Sequence, residues 1–275
     1  EIDLNIRVID KEDFTWSNSF NFSTLDNEVT FLPKNDLGET QPLDLGFVSR
    51  VDEGNPLGFF YVLEADGLYQ EGDVIPQYAL DQGAGPGDVR YVDQNGDGVL
   101  NDDDFINGGD PWADYTLNWT ANVRYKKFDL SFLWNLSEGN DVFNNNLQFA
   151  GVSGSGAFGK FTNQLNWWTP ENTNTNIPRP NVVTAGYNNQ DSTRFLEDGS
   201  YIKLRNVTLG YTLPDIKGFE KVRVFVSGDN LILITDYSGV DPEVNAFGNT
   251  AISGGTDFLT QGNNRTITFG ANFTF

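Results

Sequence analysis

Hydrophobic and polar residues alternate with period two in seven stretches of this chain. Ile2, Leu4, Ile6 and Val8 alternate with Asp3, Asn5 and Arg7, and after a polar turn at Asp10–Asp13 the residues Phe14, Trp16, Phe20 and Phe22 lie opposite Thr15, Ser17, Ser19 and Asn21. The pattern predicts two strands joined by a tight hairpin. It resumes with Tyr115, Leu117, Trp119, Ala121, Val123 and Tyr125, turns at Lys126-Lys127, and returns through Phe128, Leu130, Phe132, Trp134 and Leu136. Two more strands are predicted over 201–213 and 221–234, with a slip near Asn206 that reads as a bulge and a second irregularity at Gly228-Asp229-Asn230. In the last stretch Ile267, Phe269, Ala271, Phe273 and Phe275 share one side, and Thr266, Thr268, Gly270, Asn272 and Thr274 the other.

The connections between these strands alternate short and long, and the long ones run over about 31–112, 139–199 and 235–264. All long connections therefore leave from one end of the predicted sheet. A half-buried sheet of a sandwich also alternates, but it has no reason to gather every long loop at one end. Outer-membrane barrels do, with short periplasmic turns and longer extracellular loops, and about 9–11 tilted residues suffice for a strand to cross the hydrocarbon layer. Single-chain bacterial barrels use an even strand number, so seven predicted strands describe part of a barrel, opening in mid-wall. Phe273 and Phe275 are then expected to serve barrel closure and assembly, by pairing with a strand that this sequence does not contain.

Composition narrows the classes of function. With 39 acidic against 17 basic residues the net charge is -22, which repels nucleic acid. Between Pro33 and Trp112 there are 17 acidic and 3 basic side chains, so that stretch alone carries -14. The absence of Cys and His excludes disulfides, thiolate or imidazole metal sites and Ser-His-Asp triads within this chain. Aromatic residues at 14% beside abundant Asn, Thr and Gly suit aromatic girdles around a polar lumen. No apolar run approaches a membrane helix. The chain opens on Glu1-Ile2-Asp3 without an initiator Met or a signal sequence, as a processed or truncated piece would.

Three motifs carry candidate chemistry. Asp93-Gln94-Asn95-Gly96-Asp97-Gly98-Val99-Leu100-Asn101-Asp102-Asp103-Asp104 has calcium-loop spacing: Asp93, Asn95 and Asp97 supply side-chain oxygens, Val99 a carbonyl, Asn101 a water-mediated contact, and Asp104 closes the loop. Position 12 is Asp rather than Glu, as in dockerin-type loops; the alternative is an acidic solvated turn. Trp167 and Trp168 could stack on sugar rings or peptide side chains, or pack inside their loop and hold it folded. Glu197 beside Asp198 is the kind of acid pair that glycoside hydrolysis needs, but with 39 acids such neighbours arise by chance. No catalytic residue is assigned, and the protein is read as a non-enzyme.

Several stretches together resemble the C-terminal part of the SusC/RagA family of TonB-dependent outer-membrane transporters. They are Glu53-Gly54-Asn55-Pro56-Leu57-Gly58-Phe59-Phe60-Tyr61, the run from Pro86 to Gly98, Trp168-Thr169-Pro170-Glu171-Asn172, the run from Phe195 to Tyr211, Asp236-Tyr237-Ser238-Gly239-Val240-Asp241-Pro242-Glu243, and the terminal Phe275. The resemblance implies an all-β fold, the C-terminal seven antiparallel strands of a transmembrane barrel of about 22 strands with a plug lying outside this sequence. It further implies a bacterial outer-membrane location with the long loops extracellular and the C-terminus periplasmic. A SusD-like surface lipoprotein would lid the barrel, the TonB complex would drive import through the absent N-terminal part, and the cargo would be oligosaccharide or peptide. The alternative from another class is a secreted calcium-binding β-sandwich that binds carbohydrate through Trp167 and Trp168.

Overall fold

The computed structural model describes residues 1–275 except 153, 155–158 and 249, so the second and third long connections each include residues outside this description. The first hairpin is β1 (Ile2–Lys11) and β2 (Phe14–Thr24). The first long connection holds β3 (Leu43–Leu45), β4 (Ser49–Val51), β5 (Phe59–Leu63), β6 (Ala65–Leu68), helix α1 (Gln77–Asp81), β7 (Val89–Tyr91) and β8 (Phe105–Asn107). It is followed by β9 (Tyr115–Tyr125) and β10 (Phe128–Glu138). The second connection contains β11 (Asp141–Asn144), helix α2 (Asn145–Ala150) and β12 (Leu196–Asp198). Next come β13 (Tyr201–Thr212) and β14 (Lys221–Thr235), then β15 (Thr256–Asp257) in the third connection, and finally β16 (Thr266–Thr274).

The seven long strands form one antiparallel sheet in the order β1-β2-β9-β10-β13-β14-β16, each pairing with its neighbour in the order that the alternation predicts. Because directly opposed residues share a face, the registers string single rows across the sheet. Ile9, Trp16, Val123, Leu130, Leu209, Val226 and Phe269 make one row, and Leu4, Phe20, Trp119, Trp134 and Leu204 another. That apolar face is not covered by a second sheet: Phe128, Leu209 and Phe269 are 52%, 47% and 80% exposed. A sandwich would bury these side chains, so the carbohydrate-binding sandwich is excluded, and this face is built to meet an apolar solvent. Away from the strand ends Asn18 interrupts it. Asn18 lies between Ile6 and Ala121, and its Oδ1 accepts a hydrogen bond from the Trp119 indole at 3.1 Å.

The bulges keep the faces in phase. At Val8 the β1–β2 register slips, so Ile9 and not Val8 continues the apolar row, a correction to the unbroken alternation read from the sequence. At the predicted slip, Arg205 has no partner in either ladder, and Asn230, with φ of +52°, stands in the gap opposite it on β14.

The long connections are not irregular. Segments of three to five residues pair as β3-β4-β5-β8, and β12-β11-β15 joins the second and third connections. Among the described residues two buried apolar clusters lie in this cap and none of the same kind in the sheet: Phe60, Val62, Phe143, Val152 and Phe195 belong to one, and Leu63, Tyr69, Tyr91, Trp168 and Tyr187 to the other. Backbone bonds from Leu63 N to Asp191 O and from Phe143 N to Gly255 O, 2.9 and 2.8 Å, lock the three connections into one body. No described helix is long and apolar enough to cross a membrane, which says nothing of a β-barrel.

Candidate functional site

The face opposite the apolar one carries a hydrogen-bonded row. Asn135 Nδ2 donates to Asn118 Oδ1 at 3.0 Å, Asn118 Nδ2 to Asn21 Oδ1 at 3.3 Å, and Asn21 Nδ2 to Asp3 Oδ1 at 2.8 Å. Each amide donates toward β1 and accepts from the side of β13, where Arg205 Nη2 donates to Asn135 Oδ1 at 3.0 Å. Successive strands place these residues in register, so short amides reach one another without bending the sheet. Lower on this face Arg223 pairs with Asp129 and lies across Gly210, where a Cβ would collide with the guanidinium.

At the loop end the row runs into a buried ion cluster. Lys203, 1% exposed, donates to both Asp241 oxygens at 3.0 Å and to Glu243, and Glu243 also takes Arg205 and the Tyr201 hydroxyl. Asn263 adds a backbone and a side-chain bond to Asp241, both 3.0 Å. Cation and carboxylates are each multiply hydrogen-bonded, the condition under which buried charge is tolerated. The cluster pins the third connection to the sheet wall.

A second buried charge ties the first connection to the second. Asp88, 0% exposed, accepts from Arg179 Nη2 at 2.6 Å, Arg179 Nε at 3.0 Å, Thr184 Oγ1 at 2.8 Å and Asn188 Nδ2 at 2.7 Å. Beside it Trp168 is 5% exposed, its indole donating to Gln70 Oε1 at 2.9 Å and its ring lying where a Cβ at Gly87 would stand. Gly87 also has φ of +85°, a conformation open to glycine. Trp168 is thus a core residue of the cap, held away from any ligand, whereas Trp167 is 36% exposed. The two indoles do not form a stacking platform.

The acidic loop keeps its spacing but not a cage. Asp93 accepts from Gly96 N and Gly98 N at 2.7 and 2.8 Å, Asn95 Oδ1 from Asp97 N at 2.9 Å, and Asp97 Oδ1 from Val99 N at 2.8 Å. Asn101 Oδ1 takes Asp103 N at 2.7 Å, and both oxygens of Asp104 accept backbone N–H, from Gln94 and Asn101. Among the described residues no three acidic side chains converge on a point that could hold a metal ion. The expected calcium donors Asp93, Asn95, Asp97, Val99, Asn101 and Asp104 are brought into one turn, and the side-chain oxygens among them accept the turn's own backbone N–H groups.

Glu197 and Asp198 are successive strand residues and point to opposite faces. Glu197 accepts from Asn144 Nδ2 at 2.9 Å and Ser238 Oγ at 2.7 Å, fastening the second connection to the third. Asp198 faces Asp141 across the ladder. Burial pushes the Asp141 carboxyl up to about 6, the Asp110 N–H opposes this, and the charges of Asp110, Asp198 and Asp114 add to it. Phe273 and Phe275 are 54% and 88% exposed and pack on Phe219, ring centroids 5.3 and 5.0 Å away, at the short-turn end of the sheet.

No family model matches the chain. Relatives of known name do. Over its full length it is 36% identical to TonB-dependent receptor P3 of Formosa agariphila, covering 28% of that protein, and over 89% of its length 28% identical to TonB-dependent receptor SusC of Bacteroides thetaiotaomicron, covering 24%. The chain thus spans about a quarter of the length of these relatives. Its fold matches a chain of the RagAB peptide importer in the open-open state with a TM-score of 0.75 at 22% identity, over 99% of this chain and 28% of that one. Sequence along the whole chain and fold agree: the chain belongs to the SusC/RagA-like TonB-dependent transporters, as a segment of their outer-membrane β-barrel.

Proposed function

We propose that the protein of which this chain is part imports oligomeric nutrients, glycans or peptides, across the bacterial outer membrane in a TonB-dependent manner. The observation that carries this reading is the two-faced sheet with every long connection at one end. Its apolar face meets lipid, its amide and ion row lines the lumen, and the folded connections stand on the extracellular side with the short turns and Phe275 in the periplasm. The rest of the wall, to about 22 strands, and a plug complete the pore, and a SusD-like surface lipoprotein closes over the cap. The relatives named as TonB-dependent receptors and the neighbour named as a peptide importer support the reading. The chemistry asked of this segment is noncovalent: bind, release and let pass.

The test is energised uptake. Cells carrying the full-length gene should accumulate a fluorescent oligopeptide or oligosaccharide, and a protonophore or deletion of the gene should abolish accumulation. Uptake of both probe classes that survives either treatment would sink the proposal.

A further inference from the structure

Three of the four arginines in the long connections sit against acids. Arg50 lies within 4 Å of Asp44 and Asp52, Arg90 of Asp66 and Asp73, and Arg179 of Asp88. Arg194 forms no ion pair among the described residues, in a protein whose net charge is -22. Its Nη1 and Nη2 donate to the carbonyls of Asn188 and Asn176, both at 3.1 Å, and its Cζ lies 5.4 Å from the Phe195 ring centroid. A guanidinium has five N–H donors, so these bonds leave donors spare. Burial lowers its pKa, and the facing Tyr91 opposes this.

Arg194 lines a cavity of about 300 Å3 between the first and second connections. Leu68 and Phe195 form its buried floor and Leu147 a half-buried wall, while the exposed amides of Asn163 and Asn176 stand at the rim. A fork of unspent donors beside an apolar floor fits a planar anion attached to an apolar group. A free peptide C-terminus has that form: carboxylate, apolar last side chain, and a preceding amide for the rim. A sugar acid supplies the carboxylate too, and Phe195 and the rim amides could meet its ring, but the apolar surface of Leu68, Leu147 and Ile177 is matched by an apolar side chain and not by a hydroxylated ring.

We propose that this cavity captures the C-terminal carboxylate of short peptides ending in an apolar residue, with Arg194 as the anion-binding residue; this rests on the import reading and names its substrate class. The test uses the purified full-length transporter in detergent, without TonB, so that binding is read apart from uptake. The probes are Ala-Gly-Leu as free acid, the same tripeptide as its C-terminal amide, and trigalacturonate. The free acid should bind at least about tenfold more tightly than the amide, and Arg194→Gln should erase that difference, with Arg194→Lys restoring part of it. Leu147→Trp, which fills the cavity and leaves Arg194 in place, should weaken the acid to the level of the amide. Equal binding of acid and amide by the native protein overturns the proposal, whatever the variants do. So does a preference that persists in Arg194→Gln of native heat-modifiable gel mobility, or Arg194-dependent binding of trigalacturonate alone. Binding as expected with no energised uptake would instead count against the import reading.

Discussion

At the scale of the residue, the buried charges decide most. Lys203 is held by Asp241 and Glu243 where the third connection meets the wall. Lys203→Met leaves Asp241 buried without its cation, and removing one partner of a buried pair costs ~3–5 kcal/mol. Denaturant unfolding of the full-length protein in detergent should show that loss, whereas replacing Lys203, Asp241 and Glu243 together by apolar residues should cost much less. Asp141 makes a pH prediction. Its folded pKa, about 6, exceeds the ordinary 3.8, so the fold favours the neutral acid. The stabilisation is complete below the unfolded value and is lost as pH rises through about 6. Limited proteolysis of the long connections should therefore be faster at pH 7.5 than at pH 5, an expected difference that Asp141→Asn flattens. Neither group was legible from residue type alone: Lys203 stands in an alternating strand and Asp141 among 39 acids, and only the fold brings their partners close. The acidic turn was legible as a spacing, and the structure adds that its side chains accept the turn's own N–H groups.

At the scale of the element, strands were legible and loops were not. The seven strands announce themselves because one face must be apolar and the other polar along 9 to 15 residues. The short strands of the cap are two to five residues long, too brief for a period, and the longest, Phe59–Leu63, is buried on both sides. What holds them is contact between distant connections, which no local pattern records. The same reasoning fixes which face meets lipid. Val224, opposite Ala271 and Tyr211 on the apolar side, should not tolerate a charge: Val224→Arg is expected to cost ~2–4 kcal/mol if it lies near the midplane, read as a lowered unfolding midpoint. Arg at Ser227, on the lumen side of the same strand, should be nearly neutral.

At the scale of the whole molecule, both edges of the sheet, β1 and β16, carry exposed apolar side chains, Leu4 at 50% and Phe269 at 80% among them. We expect the rest of the barrel to complete these edges, and the terminal aromatic strand to be read during assembly. Removing Phe275 from the full-length protein should lower its outer-membrane level severalfold, measured by surface labelling; unchanged labelling would leave Phe275 a packing partner of Phe219 alone. Arg194 was beyond the reach of the sequence for a related reason. That it forms no ion pair among the described residues follows from how two connections fold together, in a chain whose composition promises acids everywhere.

The amide row from Asn135 to Asp3 bears on friction. Each carboxamide there already spends a donor and an acceptor on its neighbours, all pointing the same way. On the import reading, a hydrated oligomer sliding past would meet a wet surface whose amides have part of their hydrogen-bonding capacity already engaged with one another. On that reading the wall would ease passage and leave holding to the cap.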